Sequence, residues 1–303
     1  MRIVVTGREG QVVRSLLERG PVAGHEVIAL GRPELDLAGD AAAIVNAVES
    51  ARVDVIVSAA AYTAVDKAES DSDAAFAVNA DGPGAVAKAA RKLGVPLIHL
   101  STDYVFDGSK DAPYVEDDMP APTGVYGASK LAGEEVVLAT HANVAILRTA
   151  WVYSPFGANF VKTILRLAGD REEVGVVSDQ RGNPTSALDI ADGVLAVAAN
   201  LVANNDRALR GTFHMTATGA ASWAEFAEEV FAESAAVGGP TARVRHIGTA
   251  DYPTPVKRPA NSRLDSTKLA DIHGVRLPHW RLSTAEVVGR LVAANETEGA
   301  PTT

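Results

Sequence analysis

Periodicity constrains this chain more than any single motif. Short apolar runs rich in β-branched residues, at 2–6, 25–30 and 53–59, alternate with segments of helical spacing at 11–19 and 41–50. The order is β-α-β-α-β. Runs such as IVV and DVIV lack in–out alternation, so both faces of these strands must be covered, as in a parallel sheet between helical layers. Further units at 74–93 (helix), 96–100 (strand), 127–139 (helix) and 144–148 (strand) extend the pattern to about six strands.

The predicted fold class is α/β: a doubly wound parallel sheet of Rossmann type with a smaller C-terminal substrate lobe. Residues 1–150 are expected to form the dinucleotide-binding domain, joined by later sheet elements from about 172–217. Residues 151–171 and 218–294 are assigned mainly to the substrate-binding lobe, with helices at 159–168, 186–200 and 222–234. The polar stretch 295–303 has little to bury and is expected to be a flexible tail.

Charge and composition narrow the partners. With 28 Lys and Arg against 38 Asp and Glu the net charge is −10, which excludes a sequence-independent grip on nucleic acid. The absence of cysteine removes disulfide frameworks, thiol nucleophiles and thiolate metal sites, and suits a reducing compartment. The opening MRIVVTG has no secretory h-region, so the start reads as mature; no apolar run reaches the ~18 residues that a membrane crossing needs. A cytoplasmic protein with no membrane partner is expected.

Three constellations carry chemistry. Gly7 and Gly10 form a glycine turn between the first strand and first helix, where free N–H groups and the positive helix end suit a pyrophosphate; Val13 stands where a third glycine would sit. The second strand ends at Gly31-Arg32 without the acidic residue that usually accepts from an adenosine ribose hydroxyl. Arg32 is either a solvated arginine or the partner of a 2′-phosphate, and the second reading favours NADPH, with NADH as the alternative. Asp36 and Leu37 follow as candidate adenine contacts.

The third constellation is YGASK, with Tyr126 and Lys130 one helical turn apart. As a surface pair it contributes little. On a buried face, however, the ammonium would lower the phenol pKa and make Tyr126 an acid or base. Thr102 and Asp103, at the end of an upstream strand, fall on the same rim of a parallel sheet as the glycine turn. No GxSxG elbow, Walker phosphate loop, HExxH or histidine pair at metal-ligand spacing is present.

AAAYTAVDKAES (59–70), VNADGPG (78–84), STDYVFDG (101–108), YGASKLAGE (126–134), RTAWVY (148–153), DQRGNPTSALDIA (179–191), GTFHMTATGAASWAEFA (211–227) and RPANSRLD (258–265) occur in order. Together they resemble the dTDP-4-dehydrorhamnose reductase family of extended short-chain dehydrogenases/reductases, over nearly the whole chain. Ser58, where an asparagine often stands, Gly31 and Val13 depart from the pattern.

The resemblance implies Gly10, Gln11 and Val12 at the pyrophosphate, Asp36 and Leu37 at the adenine, and Ala61, Tyr62 and Thr63 in the loop beside the cofactor. It implies Thr102, Tyr126 and Lys130 as the catalytic set, with Thr102, Asp103, Trp151, Gln180, Arg258, Asn261 and Ser262 around a dTDP-sugar. Arg258 and Arg263 are candidates to offset the diphosphate charge. Some members dimerise through a carboxylate-held metal, so a homodimer is an expectation; no ligands map onto this chain, and no metal is expected.

The implied reaction is reduction of the C4 ketone of dTDP-4-dehydro-β-L-rhamnose. Two alternatives stay open: a ketoreductase or epimerase for another nucleotide-sugar, and a non-catalytic NADP-binding module like the regulatory subunit of methionine adenosyltransferase.

Overall fold

The computed structural model describes residues 1–299. β1 (Arg2–Thr6) leads through the glycine turn into α1 (Gln11–Val22), then β2 (Glu26–Leu30), α2 (Ala41–Glu49) and β3 (Val55–Ser58). Short helices α3 (Val65–Ala68) and α4 (Ser72–Phe76) run through a π-helical turn (Ala77–Asp81) into α5 (Gly82–Leu93), followed by β4 (Leu97–Thr102), α6 (Val125–Thr140) and β5 (Val144–Thr149). The second half comprises β6 (Val152–Tyr153), α7 (Phe160–Asp170), β7 (Glu173–Val177), β8 (Arg181–Gly182), β9 (Thr185–Ser186), α8 (Ala187–Ala203), β10 (Gly211–His214), β11 (Ala221–Ser222), α9 (Trp223–Ala236), β12 (Arg243–Ile247), α10 (Thr267–His273) and α11 (Trp280–Gly299).

Six strands form one parallel sheet in the order β10-β5-β4-β3-β1-β2. The chain steps outward from β1 to β2 and then returns to the other side of β1, so the strand order reverses between β1 and β3. Alternate residues of each strand feed two cores. Ile3, Val5, Val55, Val57, Ile98 and Leu147 meet Val13 and Leu16 of α1 and Ile190 and Val194 of α8. Val4, Ile56, Leu97 and Ile146 meet Ile44 of α2, Val86 of α5 and Val137 of α6. Burial on both faces accounts for the unbroken apolar strands.

A third core, around Tyr153, Ile164, Val176, Phe226, Val230, Trp280 and Val288, belongs to the second lobe. The segment expected to return to the sheet from about 172 divides. β7 pairs with β12 in a separate parallel ribbon, whereas α8 covers the main sheet and β10 extends it. Leu269, Val275 and Leu277, expected in the lobe, also pack on the sheet side. α11 continues to Gly299, through five residues of the expected tail; 300–303 lie outside the described residues.

The helix expected at 74–93 is broken at the π-helical turn for a local reason. Pro83 has no N–H to give the carbonyl of Asn79, four residues earlier, so the ladder must shift there. The freed carbonyl lies against α6, where a Cβ on Gly133 would come within 2.0 Å of it. Glycine at 133 is therefore a packing requirement.

α6 is fastened to the sheet by an ion pair between layers. Arg148 of β5 donates from Nε and Nη2 to the two carboxylate oxygens of Glu134, at 2.9 and 2.6 Å, with both side chains 5% exposed or less. Removing one partner would strand a buried charge, so Glu134→Ala should cost about 3–5 kcal/mol. Urea unfolding should show a lower midpoint at unchanged slope, and the Glu134→Leu/Arg148→Met pair should recover most of the loss.

Candidate active site

Parallel sheets leave a crevice at the carboxyl ends of the strands where the strand order reverses, here between β1 and β3. Thr6 fastens this rim: its hydroxyl accepts from the backbone N–H groups of Ala59 and Ala60 at 3.0 and 3.1 Å, tying the ends of β1 and β3 together. Gly7 adopts φ +99°, and a Cβ there would lie 3.2 Å from that of Ala60, so the turn passes close under the loop. α1 begins at Gly10, which caps with no side chain, and its first turn carries no acidic residue. An anion fits this helix end without competing with a carboxylate.

Gln11 starts that helix, but its side chain reaches into the second lobe. Its Oε1 accepts from Ser154 Oγ at 2.8 Å and from Asn159 Nδ2 at 3.2 Å. Only the backbone N–H groups of Gln11 and Val12 remain at the helix start.

The missing acidic residue after β2 has a steric reason. A Cβ on Gly31 would lie 2.9 Å from Arg8 Cγ and 3.2 Å from the Gly7 carbonyl carbon. The space goes to Arg8, whose guanidinium meets Glu34 at 2.5 Å, while Arg32 is exposed without an ion pair among the described residues. Arg8 is thus a second cation at the end of β2, visible in the sequence only as the variable residue of the glycine turn. Asp36 is exposed and accepts from Ala38 N–H; Leu37 packs in the core with Leu35, Ile44 and Val86. Leu37 is 6% exposed, so this core takes up most of the side chain expected at the adenine.

The loop carrying Ala61, Tyr62 and Thr63 is anchored by a residue not singled out from sequence. Asn79 lies in the π-helical turn, fully buried; its Oδ1 accepts from Tyr62 N–H at 2.8 Å, and its Nδ2 donates to Tyr62 O at 3.1 Å and Ser129 Oγ at 2.9 Å. One amide ties this loop to α6. The signal was the proline four residues on.

At the end of β4, Thr102 donates to Asp103 Oδ1 at 3.0 Å and accepts from Tyr104 N–H at 3.2 Å. Tyr126, in the first turn of α6, lies beside Thr102, and its ring stands edge-on to Tyr104 at 5.5 Å. Burial holds its phenol above the ordinary tyrosine range; the neighbouring Thr102 opposes this, and Asp103 and Tyr104 add to it. The expected lowering by Lys130 is not what the structure provides. The Lys130 ammonium turns inward, donating to Leu100 O at 2.7 Å, and burial depresses it to about 8. The phenol is therefore kept protonated, the form in which it can give up a proton.

A cavity of about 500 Å³ opens beside this cluster. Trp151, Gln180, Arg258 and Ser262 line it, with Tyr104 and Trp223. Thr102 and Tyr126 do not; they sit behind Tyr104. Trp151 adopts φ +48° and stacks face to face on Trp223 at 3.6 Å, and a Cβ on Gly182 would lie 2.4 Å from the Trp151 ring. Arg258 donates to Asp66 Oδ2 at 2.6 Å and to Tyr104 Oη at 3.2 Å.

Asn261 is not brought into the cavity. Its Nδ2 donates to the carbonyls of Lys110 and Ala112, and its Oδ1 accepts from Arg263, so it serves as a loop fastener. Arg263 faces a separate cavity with Asn183 and Arg276, whereas Arg258 and Arg171 line the first.

The rim and second lobe have the layout of an extended short-chain dehydrogenase/reductase: a dinucleotide crevice, a tyrosine–lysine helix beside it and a lobe closing over both. The chain belongs to the family described as RmlD substrate binding domain, whose model matches residues 1–293. It is 50% identical over 292 residues to the dTDP-4-dehydrorhamnose reductase of Sinorhizobium fredii, covering 96% of this chain and 98% of that one. Among solved structures it resembles the dTDP-4-dehydrorhamnose reductase of Clostridium acetobutylicum (TM-score 0.89, 36% identity, 96% and 99% covered). It also resembles that of Bacillus anthracis in complex with NADP (TM-score 0.87, 33% identity, 94% and 98% covered).

Asp103 gives the site a pH signature. Burial raises its carboxyl to about 6, against the neighbouring Ser262 and the Thr102 hydrogen bond, and its Oδ2 has no partner among the described residues. A carboxyl whose pKa is higher folded than unfolded binds more protons in the native state, so stability falls as pH rises from about 4 through about 6 and is level above. Denaturation of wild type and Asp103→Asn across pH 4–8 should show a difference that grows over that window by up to about 3 kcal/mol and then stays constant.

Proposed function

We propose that this chain is an NADPH-dependent dTDP-4-dehydrorhamnose reductase, reducing the C4 ketone of dTDP-4-dehydro-β-L-rhamnose to dTDP-β-L-rhamnose. The observation that carries this reading is Tyr126: a protonated phenol beside Thr102, behind the Tyr104 that lines the second-lobe cavity. The reductases named above, including the one in complex with NADP, support the substrate and cofactor.

The residues present fit a dinucleotide. The Gly7–Gly10 turn and the uncapped N–H groups of Gln11 and Val12 would hold the pyrophosphate, Arg32 and Arg8 the 2′-phosphate, and the loop of Ala61, Tyr62 and Thr63 would flank the cofactor. When bound, the cofactor supplies a hydride equivalent to the C4 carbon. Thr102 would turn its one hydroxyl hydrogen from Asp103 Oδ1 to the ketone oxygen and fix its position as charge gathers there. Tyr126 gives its proton to that oxygen, which completes the alcohol. Lys130, held by Leu100, has a further N–H for the nicotinamide ribose.

On the substrate side, Trp151 forms an apolar wall for the sugar, with Ser262 and Asp103 at its inner end and Gln180 further along. Arg258 would meet the diphosphate, which would take the place that Asp66 holds in its ion pair. A non-catalytic NADP-binding module has no chemical use for a protonated Tyr126 beside Thr102. No helix among the described residues is long and apolar enough to cross a membrane, and we place the reaction in the cytoplasm with the enzyme as a homodimer.

Tyr126→Phe should lower kcat by about 10²–10⁴-fold while NADPH still binds; unchanged turnover of dTDP-4-dehydrorhamnose, followed by NADPH absorbance, would remove Tyr126 as proton donor. Arg32→Ala should weaken NADPH far more than NADH in fluorescence titrations. An equal effect on both would defeat the 2′-phosphate assignment.

A further inference from the structure

Behind the tyrosine–lysine helix lies a polar chain that the reaction above does not use. Ser58 ends β3, His99 lies in the middle of β4, and Lys130 comes from α6; their exposures are 1%, 0% and 3%. His99 Nδ1 is 3.1 Å from Ser58 Oγ, and its Nε2 is 3.5 Å from Lys130 Nζ. Apolar side chains at 58 and 99 would bury there without desolvation cost, so a polar pair must be held by what it bonds.

The hydrogens can be assigned by elimination. An ammonium only donates, so the ring nitrogen facing it must present a lone pair. His99 then carries its proton on Nδ1 and gives it to Ser58 Oγ. Burial, and the Lys130 charge after it, hold the imidazole well below its ordinary range, so the ring is neutral and this tautomer is its resting state. Two of the three Lys130 hydrogens are thereby directed, one to Leu100 O and one to His99 Nε2. The third has a fixed direction.

We propose that His99, locked in one tautomer by Ser58, is a positioning residue that aims Lys130 and favours its charged form. The inference rests on the reading of Lys130 as a ribose-holding group beside Tyr126. Glu134, one turn further along α6 and paired with Arg148 of β5, also acts on this ammonium, and Tyr126 stands one turn before on the same helix. Glu134 also favours the charged form, against burial. His99 differs from Glu134 in accepting a hydrogen bond directly. It links the departure at position 58, serine in place of the frequent asparagine, to the catalytic helix.

Two conservative substitutions separate the two ends of the ring. The Gln amide reaches where Nε2 stands, and the Asn amide ends where Nδ1 stands. His99→Asn should keep the Ser58 bond and lose the Lys130 bond; the alkaline limb of the kcat/KM profile should move down by about one pH unit and the NADPH dissociation constant should rise about tenfold. His99→Gln should stay within about twofold of wild type in both. Ser58→Ala, which frees the tautomer, should give a smaller shift in the same direction and serves if His99→Asn does not fold. Limbs and NADPH affinities in His99→Asn and Ser58→Ala identical to wild type would overturn the proposal. Lys130→Met run in parallel keeps the two readings apart: if it retains full turnover, the catalytic reading has failed, whereas its inactivity beside an unperturbed His99→Asn would condemn the positioning role alone.

Discussion

The reversal of strand order between β1 and β3 is the constraint on which the rest of this structure depends. It leaves an open crevice at the carboxyl rim of a sheet otherwise buried on both faces. Thr6 closes the gap between the two strand ends with a single hydroxyl, and the loop that follows is then clamped by Asn79. Asn79 in turn holds Ser129 on α6, and α6 is fixed to β5 by the Glu134–Arg148 pair. Tyr126 and Lys130 are therefore placed by a continuous chain of buried polar contacts that begins at the crevice.

Electrostatics within the site run against the whole. A protein of net charge −10 must gather local positive potential to hold a dinucleotide and a diphosphate. The bare N-terminus of α1, Arg8 and Arg32 at the end of β2, and Arg171 and Arg258 at the cavity would supply it in the proposed reading. Two of these arginines are paired with carboxylates, Arg8 with Glu34 and Arg258 with Asp66, so under the proposed roles each would exchange one anion for another. Burial does the complementary work: it keeps the Tyr126 phenol protonated and draws Lys130 down to about 8.

Much of this was legible in the sequence because it is local. Strand–helix alternation, the glycine turn and the i,i+4 spacing of Tyr126 and Lys130 each depend on a few neighbouring residues, and the family motifs extended the reading into the second lobe. What escaped depended on distant partners. Nothing near Leu37 announces that it packs under α2, and nothing near Asn261 announces that loop 110–112 uses its amide. Glu173–Val177 looks like any returning sheet strand until β12 claims it. The direction of the Tyr126 shift does not follow from the spacing, because burial of the phenol by distant parts of the chain sets it while the Lys130 ammonium is held by Leu100. Arg8 was passed over because its importance comes from the space left by Gly31, in another strand.

The most direct measurement is transfer of deuterium from 4-deuterated NADPH to dTDP-4-dehydrorhamnose generated in situ, with the product sugar resolved by NMR. The account predicts a single deuterium at C4 of dTDP-β-L-rhamnose. Deuterium at C4 of the talose epimer would contradict the assigned product while leaving the fold's chemistry in place, and NADPH binding without any transfer would contradict the central claim that this rim is a catalytic site.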